Sequence, residues 1–267
     1  MIDSLRVGPG ARPELAIRSP EDTLELESKE AARELRSELV DRLSGLQERL
    51  FAEGSRSVLL VLQGLDAAGK DGVIRAVFTG VNPQGCHVRS FRAPSSTELA
   101  HDYLWRVHAA LPPRGVIGVF NRSHYEDVVA VRLHRIAPET VWSRRPGHIR
   151  EWERMLVDEG TALVKVFLNV SKEEQRSRMQ ERIDDPDKRW KFRKDDLEIR
   201  RRFDEYLSAW DDVIGQTSTE WAPWHVVPAD RNWVKSTAVA ALLVDTLERL
   251  GPRFPDAEPG IESLVVT

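Results

Sequence analysis

The chain has 267 residues, 41% of them apolar and 31% charged, with a net charge of −4. That length suits one large α/β domain or one domain with an appendage, and the charge argues against general nucleic-acid binding. No apolar run approaches the ~20 residues of a membrane-spanning helix, and the lone Cys86 can build neither an internal disulfide nor a thiolate metal site.

Residues 1–22, punctuated by Gly8, Pro9, Gly10 and Pro13, read as an irregular arm without the apolar core of a secretory signal. Leu35, Leu39, Leu43, Leu46 and Leu50 then recur at helical spacing, which predicts an amphipathic helix from Ser28 to Glu53 with Gly54 as its C-cap. Val58–Gln63 is a short aliphatic run, the pattern of a fully buried strand.

That strand runs into Gly64-Leu65-Asp66-Ala67-Ala68-Gly69-Lys70-Asp71-Gly72, and Val73, Ile74, Val77 and Phe78 follow at helical spacing. Two glycines at G-x-x-x-x-G-K spacing between a strand and a helix make a phosphate-binding loop. The glycines let backbone N–H groups turn toward an anion, the helix N-terminus adds a partial positive charge, and Lys70 adds a full one. Gly64, Ala67, Ala68, Gly69, Lys70, Asp71 and Gly72 are therefore the phosphate-binding candidates. Asp71 replaces the Ser or Thr that usually reaches Mg²⁺. Asp66, inside the loop, would repel phosphate unless a metal lies between them, so the metal here is expected on carboxylates.

Further on, a turn at 82–85 precedes a strand at 86–91, and Ser95 or Ser96 caps a helix expected to reach Leu111, stopped by Pro112-Pro113. Gly115–Phe120 is another buried-strand run. It ends in Asn121-Arg122-Ser123-His124-Tyr125-Glu126-Asp127, and polar residues just past such a strand are placed for function. A helical region from Pro138 to about Gly160, interrupted near Arg145-Pro146-Gly147, a strand at 161–168 and a capped helix opening at Ser171 come next. Helices at 195–216 and 233–250 flank a short strand at 224–227, and a tail begins at Gly251. This alternation predicts an α/β fold: a mostly parallel sheet in a three-layer α/β/α sandwich.

Two groups of residues carry the chemistry. Arg122 lies beside Glu126 and Asp127; the acidic residue that usually ends this strand and fixes Mg²⁺ is replaced by Asn121. Either carboxylate can face the phosphates or simply complement the helix dipole. The second group spans 176–195. Arg178 and Arg182 share a helix face, and past the break at 184–187 come Lys188, Arg189, Trp190 and further cations. An arginine-bearing helix followed by a basic loop is the pattern of a mobile phosphotransferase lid. Lys188 and Arg189 are expected on phosphate; Trp190 would stack on a base or brace the lid. The histidines show no metal-ligand spacing, and there is no G-x-S-x-G nucleophile.

Taken together, the segments 64–72, 120–128, 171–175 and 187–192, with Ala222-Pro223-Trp224 and Val227-Pro228-Ala229, resemble the family-2 polyphosphate kinases in order over about residues 20–250. The resemblance implies a thymidylate-kinase-like P-loop kinase fold with a helical lid, one domain over 23–250, and Mg²⁺ (Mn²⁺ as the alternative ion). It implies phosphoryl transfer between inorganic polyphosphate and adenine (or guanine) nucleotides by a cytoplasmic homo-oligomer, dimer or tetramer, that binds neither nucleic acid nor membrane. The Asn-Arg-Ser-His-Tyr-Glu-Asp version resembles the subgroup that phosphorylates both AMP and ADP. Carried over by position, Asp66, Lys70, Arg122, Asp127, Arg178 and Arg182 are catalytic. Asp66 with Asp127 (or Glu126) would hold metal, and Asn121, Glu126 and Trp190 would contact nucleotide. An ATP-dependent nucleoside monophosphate kinase and a non-catalytic polyphosphate-binding module are the alternatives.

Overall fold

A computed structural model describes residues 1–266. Its centre is a six-stranded sheet of β1 (Arg6–Val7), β2 (Ser57–Gln63), β3 (Cys86–Ser90), β4 (Ile117–Asn121), β5 (Thr161–Asn169) and β6 (Trp224–Pro228). The spatial order is β1-β6-β5-β2-β4-β3, and all pairings are parallel except β1 with β6. All seven residues of β2 are buried, as expected of a central parallel strand covered on both faces. Leu62 pairs with Asn121 and Gln63 with Phe167, so β2 and β4 end within one residue of each other and β5 runs two residues further in the same direction. Polar residues just beyond those ends are thereby brought together at one edge.

In chain order the helices are α1 (Lys29–Glu53), α2 (Lys70–Phe78), α3 (Ser96–Leu99), α4 (Trp105–His108), α5 (Glu126–Leu133), α6 (Glu139–Trp142), α7 (Arg145–Asp158), α8 (Lys172–Asp184), α9 (Asp195–Arg201), α10 (Phe203–Thr217) and α11 (Asn232–Leu250). Helices α1, α2 and α11 pack together on one face of the sheet and α5, α7 and α10 on the other. The three-layer expectation is met.

Local chemistry sets most boundaries. Ser28 Oγ accepts from Ala31 N at 3.0 Å to start α1, and Gly54, at φ 63°, ends it by donating to Leu50 O. Ser171 Oγ accepts from Glu174 N to open α8. α11 lies between α1 and the sheet, and its buried residues run all round it from Val234 to Leu247.

Three expectations are corrected. The helix expected over 95–111 is two short helices, because Asp102 Oδ1 accepts from Leu104 N (2.9 Å) and Trp105 N (3.1 Å) and starts a new turn. The helix expected over 195–216 breaks at Arg202 (φ −100°, ψ 23°), whose guanidinium reaches Leu133 O and Glu205. Residues 1–22 carry β1 and bury Leu5, Val7 and Leu15. That segment is strapped down by Leu15 N on Asp211 Oδ1 (2.8 Å) and by Asn169 Nδ2 on Leu15 O and Arg18 O (both 3.1 Å).

Candidate active site

The phosphate loop leaves β2 at Gly64, whose φ of 146° suits glycine; a Cβ there would meet the Leu168 carbonyl oxygen at 2.8 Å. Ala67 follows in left-handed backbone (φ 65°), and Gly69 (φ 101°) starts α2. Lys70, the first residue of α2, is 8% exposed, and its Nζ donates to Gly64 O at 2.6 Å and Leu65 O at 3.4 Å. Its pKa is pushed down to about 8, by burial first and then by Arg122, against the pull of Asp66, Glu126 and Asp71.

β4 supplies the opposite wall. Arg122 takes left-handed backbone (φ 63°), an unusual state for an arginine that costs about 1–3 kcal/mol and gathers at functional sites. Its guanidinium pairs with the Asp66 carboxylate. Burial works against the Arg122 charge, but Asp66, Glu126, Asp196 and Asp71 together raise its pKa. Beside it, Asn121 Nδ2 donates to Asp71 Oδ1 at 2.6 Å. The usual partnership of a loop hydroxyl with a strand-end carboxylate is thus reversed: the carboxylate sits on the loop and the neutral amide on the strand. Gln63, with its amide nitrogen toward Glu126, donates to Oε1 at 3.1 Å and accepts from Ser123 N (3.0 Å) and Oγ (2.9 Å).

Glu126 and Asp127 diverge. Burial raises the Glu126 pKa, against which Arg122 and Lys70 act, so this carboxylate belongs to the loop. Burial also raises Asp127, but the opposing cations there are Arg106 and Arg145. Asp127 Oδ2 accepts from Arg106 at 3.4 Å, and its carbonyl accepts from Arg145. Successive residues of a helix point about 100° apart, so only one of an adjacent acidic pair faces the loop.

On α8, Arg178 lies against the loop rather than above it. Nη1 donates to Ala67 O (3.0 Å) and Ala68 O (3.1 Å), Nη2 to Ala229 O (2.8 Å) and Asp230 O (2.6 Å), and Nε to Glu174 (2.8 Å). Arg182, one turn on, is partly buried and acts with Arg122 against the burial-raised pKa of Asp196. Lys188 is held by Glu181 (2.5 Å) and Asp185 (3.1 Å), and Arg189 Nε donates to Ile183 O (2.8 Å). Trp190 is 74% exposed, with the Lys191 ammonium 5.1 Å from its ring centroid.

The structure therefore brings Asp66, Lys70, Asp71, Asn121, Arg122 and Glu126 together around the loop. Asp127 stands on the adjoining Arg106–Arg145 wall, and Lys188, Arg189 and Trp190 lie out on the segment after α8. Sequence reasoning missed two loop supports, Gln175, whose Nε2 donates to Asp66 O at 3.0 Å, and Lys235, whose Nζ donates to Ala68 O at 2.8 Å, and it missed Gln63 as the partner of Glu126 and Ser123. The signal for Lys235 was a lone cation at the start of an otherwise apolar helix. Among the described residues no three His, Cys, Asp or Glu side chains form a metal-holding group. A divalent ion here would draw on one or two carboxylates plus phosphate oxygens and water, the manner in which Mg²⁺ usually binds. Elsewhere, a cavity of about 650 Å³ opens at the strand beginnings, between Arg6, Thr161, Trp221 and Arg249, at the opposite end of the sheet from the loop. Among the described residues no helix is long and apolar enough to cross a membrane.

Comparison with known proteins gives the same reading. The family described as Polyphosphate kinase 2 matches residues 25–254. The AMP/ADP-polyphosphate phosphotransferase of Meiothermus ruber is 53% identical, over 98% of each chain. The ADP-polyphosphate phosphotransferase of Rhodopseudomonas palustris is 45% identical, over 95% of this chain and 92% of that one. The crystal structure of polyphosphate kinase 2 from Arthrobacter aurescens superposes with a TM-score of 0.93 at 41% identity, covering 98% of this chain and 93% of that one. With a phosphate loop in a P-loop kinase fold and this degree of likeness along nearly its whole length, the chain belongs to the polyphosphate kinase 2 family.

Proposed function

We propose that the chain transfers phosphoryl groups between inorganic polyphosphate and adenine nucleotides, carrying AMP to ADP and ADP to ATP. The reading includes Mg²⁺ (or Mn²⁺) and a homo-oligomer acting in the cytoplasm. One observation carries it: a buried Lys70 at a glycine-bounded loop, walled by the Asp66–Arg122 ion pair and the Asp71–Asn121 hydrogen bond.

The loop N–H groups and Lys70 bind the donor's terminal phosphates, with Lys70 leaving the Gly64 carbonyl for a charge-assisted bond to phosphate oxygen. Arg122 and Arg182 neutralise charge on the phosphoryl in transit. A terminal phosphate oxygen of the nucleotide attacks in line. The new P–O bond forms as the bridging P–O bond of polyphosphate breaks, and the shortened chain leaves with the bridging oxygen. The attacking phosphate is already ionised, so positioning and electrostatics suffice without a strong base. The divalent ion, when bound, offsets charge between donor and acceptor phosphates; Asp66 would hold it together with Glu126, since Asp127 faces the Arg106–Arg145 wall. Asn121, Glu126 and Trp190 remain the proposed nucleotide contacts.

The test is nucleotide chromatography after incubating pure protein with Mg²⁺, long-chain polyphosphate and AMP or ADP, with no ATP added. ADP and then ATP forming from AMP is the expected result. ATP from ADP alone would restrict the acceptor range to that named for the Rhodopseudomonas relative. No product, with transfer from added ATP to AMP, would replace the reading with a monophosphate kinase, and polyphosphate binding without any transfer would leave a binding module.

A further inference from the structure

Three cations hold the carbonyls of the phosphate loop. Before phosphate binds, Lys70 takes those of Gly64 and Leu65; from behind, Arg178 takes those of Ala67 and Ala68, and Lys235 shares Ala68. With the carbonyls held backward, the N–H groups of the same peptides are left to the anion side.

Lys235 is the least expected of the three. It lies in the first turn of α11, is 1% exposed, and donates to Ala68 O (2.8 Å) and Ala229 O (3.1 Å). It fills the space behind Gly69, where a Cβ would meet its Cε at 2.9 Å. Two carbonyls satisfy two of its three N–H donors, and no carboxylate among the described residues pairs with it. The charged groups facing it are Arg178 and Glu174 from α8, Asp230 from the segment after β6, and Lys70 from α2. Burial first, then Arg178, hold its pKa down to about 7, with Glu174 and Asp230 opposing. A buried ammonium crowded by two other cations is a costly arrangement. A polyanion at the loop relieves that cost.

We infer that Lys235 is a positioning residue for the donor: it fixes the Ala68–Gly69 turn of the loop and adds a buried positive charge behind the polyphosphate subsite. This rests on the polyphosphate reading above. If Lys235 served only to tie α11 to the loop, its charge would be dispensable.

The experiment compares wild type, Lys235→Met and Lys235→Arg in direct polyphosphate binding without nucleotide, and in steady-state kinetics with polyphosphate and ADP varied separately. Lys235→Met keeps the aliphatic stem and removes the charge. The expected result is a tenfold or larger rise in the polyphosphate Kd and KM, with the ADP KM changing less than threefold and Tm held within a few degrees. Lys235→Arg should recover most of the polyphosphate affinity. Wild-type polyphosphate affinity in a folded Lys235→Met variant would overturn the inference, as would an equal rise in both KM values. Should Lys235→Met not fold, Lys235→Gln carries the same expectations and the same refutation. Failure of the polyphosphate reading itself is distinguishable, because wild type would then neither bind polyphosphate nor use it as donor.

Discussion

At the scale of single residues the site is closed upon itself. Lys70 holds the loop's own carbonyls, Arg122 holds Asp66, and Asn121 holds Asp71, so each charged group is partnered before substrate arrives. Substrate must exchange those bonds for bonds to phosphate, which is favourable because bonds to an anion are charge-assisted. Lys70→Met removes a donor that cannot be replaced from the backbone. Its turnover should fall by about 10²–10³-fold, the scale of losing one preorganised donor to a developing charge. Asp66→Asn should lose activity by orders of magnitude as well, since it releases Arg122 and removes a proposed metal carboxylate. Both variants should give far-ultraviolet circular dichroism and Tm close to wild type. Near-normal turnover in either would remove that residue from the mechanism.

Among elements, the one most dependent on its neighbours is the turn from β4 into α5. Behind it Lys165 of β5, fully buried, donates to Glu153 Oε2 of α7 (2.6 Å), Tyr125 Oη (3.1 Å) and Thr217 O (2.8 Å), while Tyr125 donates to Glu153 Oε1 (2.6 Å). Burial pushes the Lys165 pKa down and the Glu153 pKa up, and their mutual attraction opposes both shifts. A buried ion pair is weak evidence of net stability, but breaking one side leaves a bare charge. Lys165→Met alone should therefore cost about 3–5 kcal/mol in chemical denaturation. The double variant Lys165→Met with Glu153→Leu should recover a large part of that loss. A loss in the double variant equal to the sum of the losses in Lys165→Met and Glu153→Leu alone would show that the charges are not coupled. The same network anchors Tyr125, so it also holds Arg122 and Glu126 at their heights on either side.

For the molecule as a whole, the buried His124 and the half-buried His225 bring acid sensitivity. His124 has a pKa lowered to about 3, by burial and then Lys165, and His225 one lowered to about 4, chiefly by burial. A depressed native pKa means that the unfolded chain binds more protons below about 6.5, so native stability falls with falling pH. Each such group weighs up to ~1.4 kcal/mol per pH unit between its native value and 6.5. Glu126, Asp127 and Glu153 act in the opposite sense, since their raised native pKa values let the folded state take up protons first. Among the described residues His124 has no hydrogen-bond partner on either ring nitrogen, and it packs against Trp152 and Tyr125. His124→Phe keeps that packing without the titration. Its Tm should fall less than that of wild type between pH 7 and pH 5, and parallel falls would rule His124 out as a source of acid sensitivity.

The strand–loop–helix unit, the chain order of strands β2 to β6 and the proximity of Asp66, Lys70 and Arg122 to the phosphate loop were legible in the sequence because their chemistry is local. Glycine conformations, a helix N-terminus and a strand end lie within a few residues of one another, and the resemblance to the family rests on such contiguous runs. Hydrophobic period likewise foretold α1 and β2, whose partners merely complete what the pattern began. Where side chains rather than period decided, as at Asp102 and Arg202, the helix limits were misplaced. The arrangement of the site belongs to the tertiary structure. Arg178 and Lys235 are separated by over fifty positions and meet only because α8 and α11 converge behind the loop. Asn121 finds Asp71 only because β2 and β4 pair in register. Glu126 and Asp127, adjacent in sequence and alike in chemistry, face different walls because a helix turns about 100° per residue. Type and spacing of residues determined that phosphate is handled here; which groups share the phosphate, and which hold one another, was decided by contacts that no local pattern encodes.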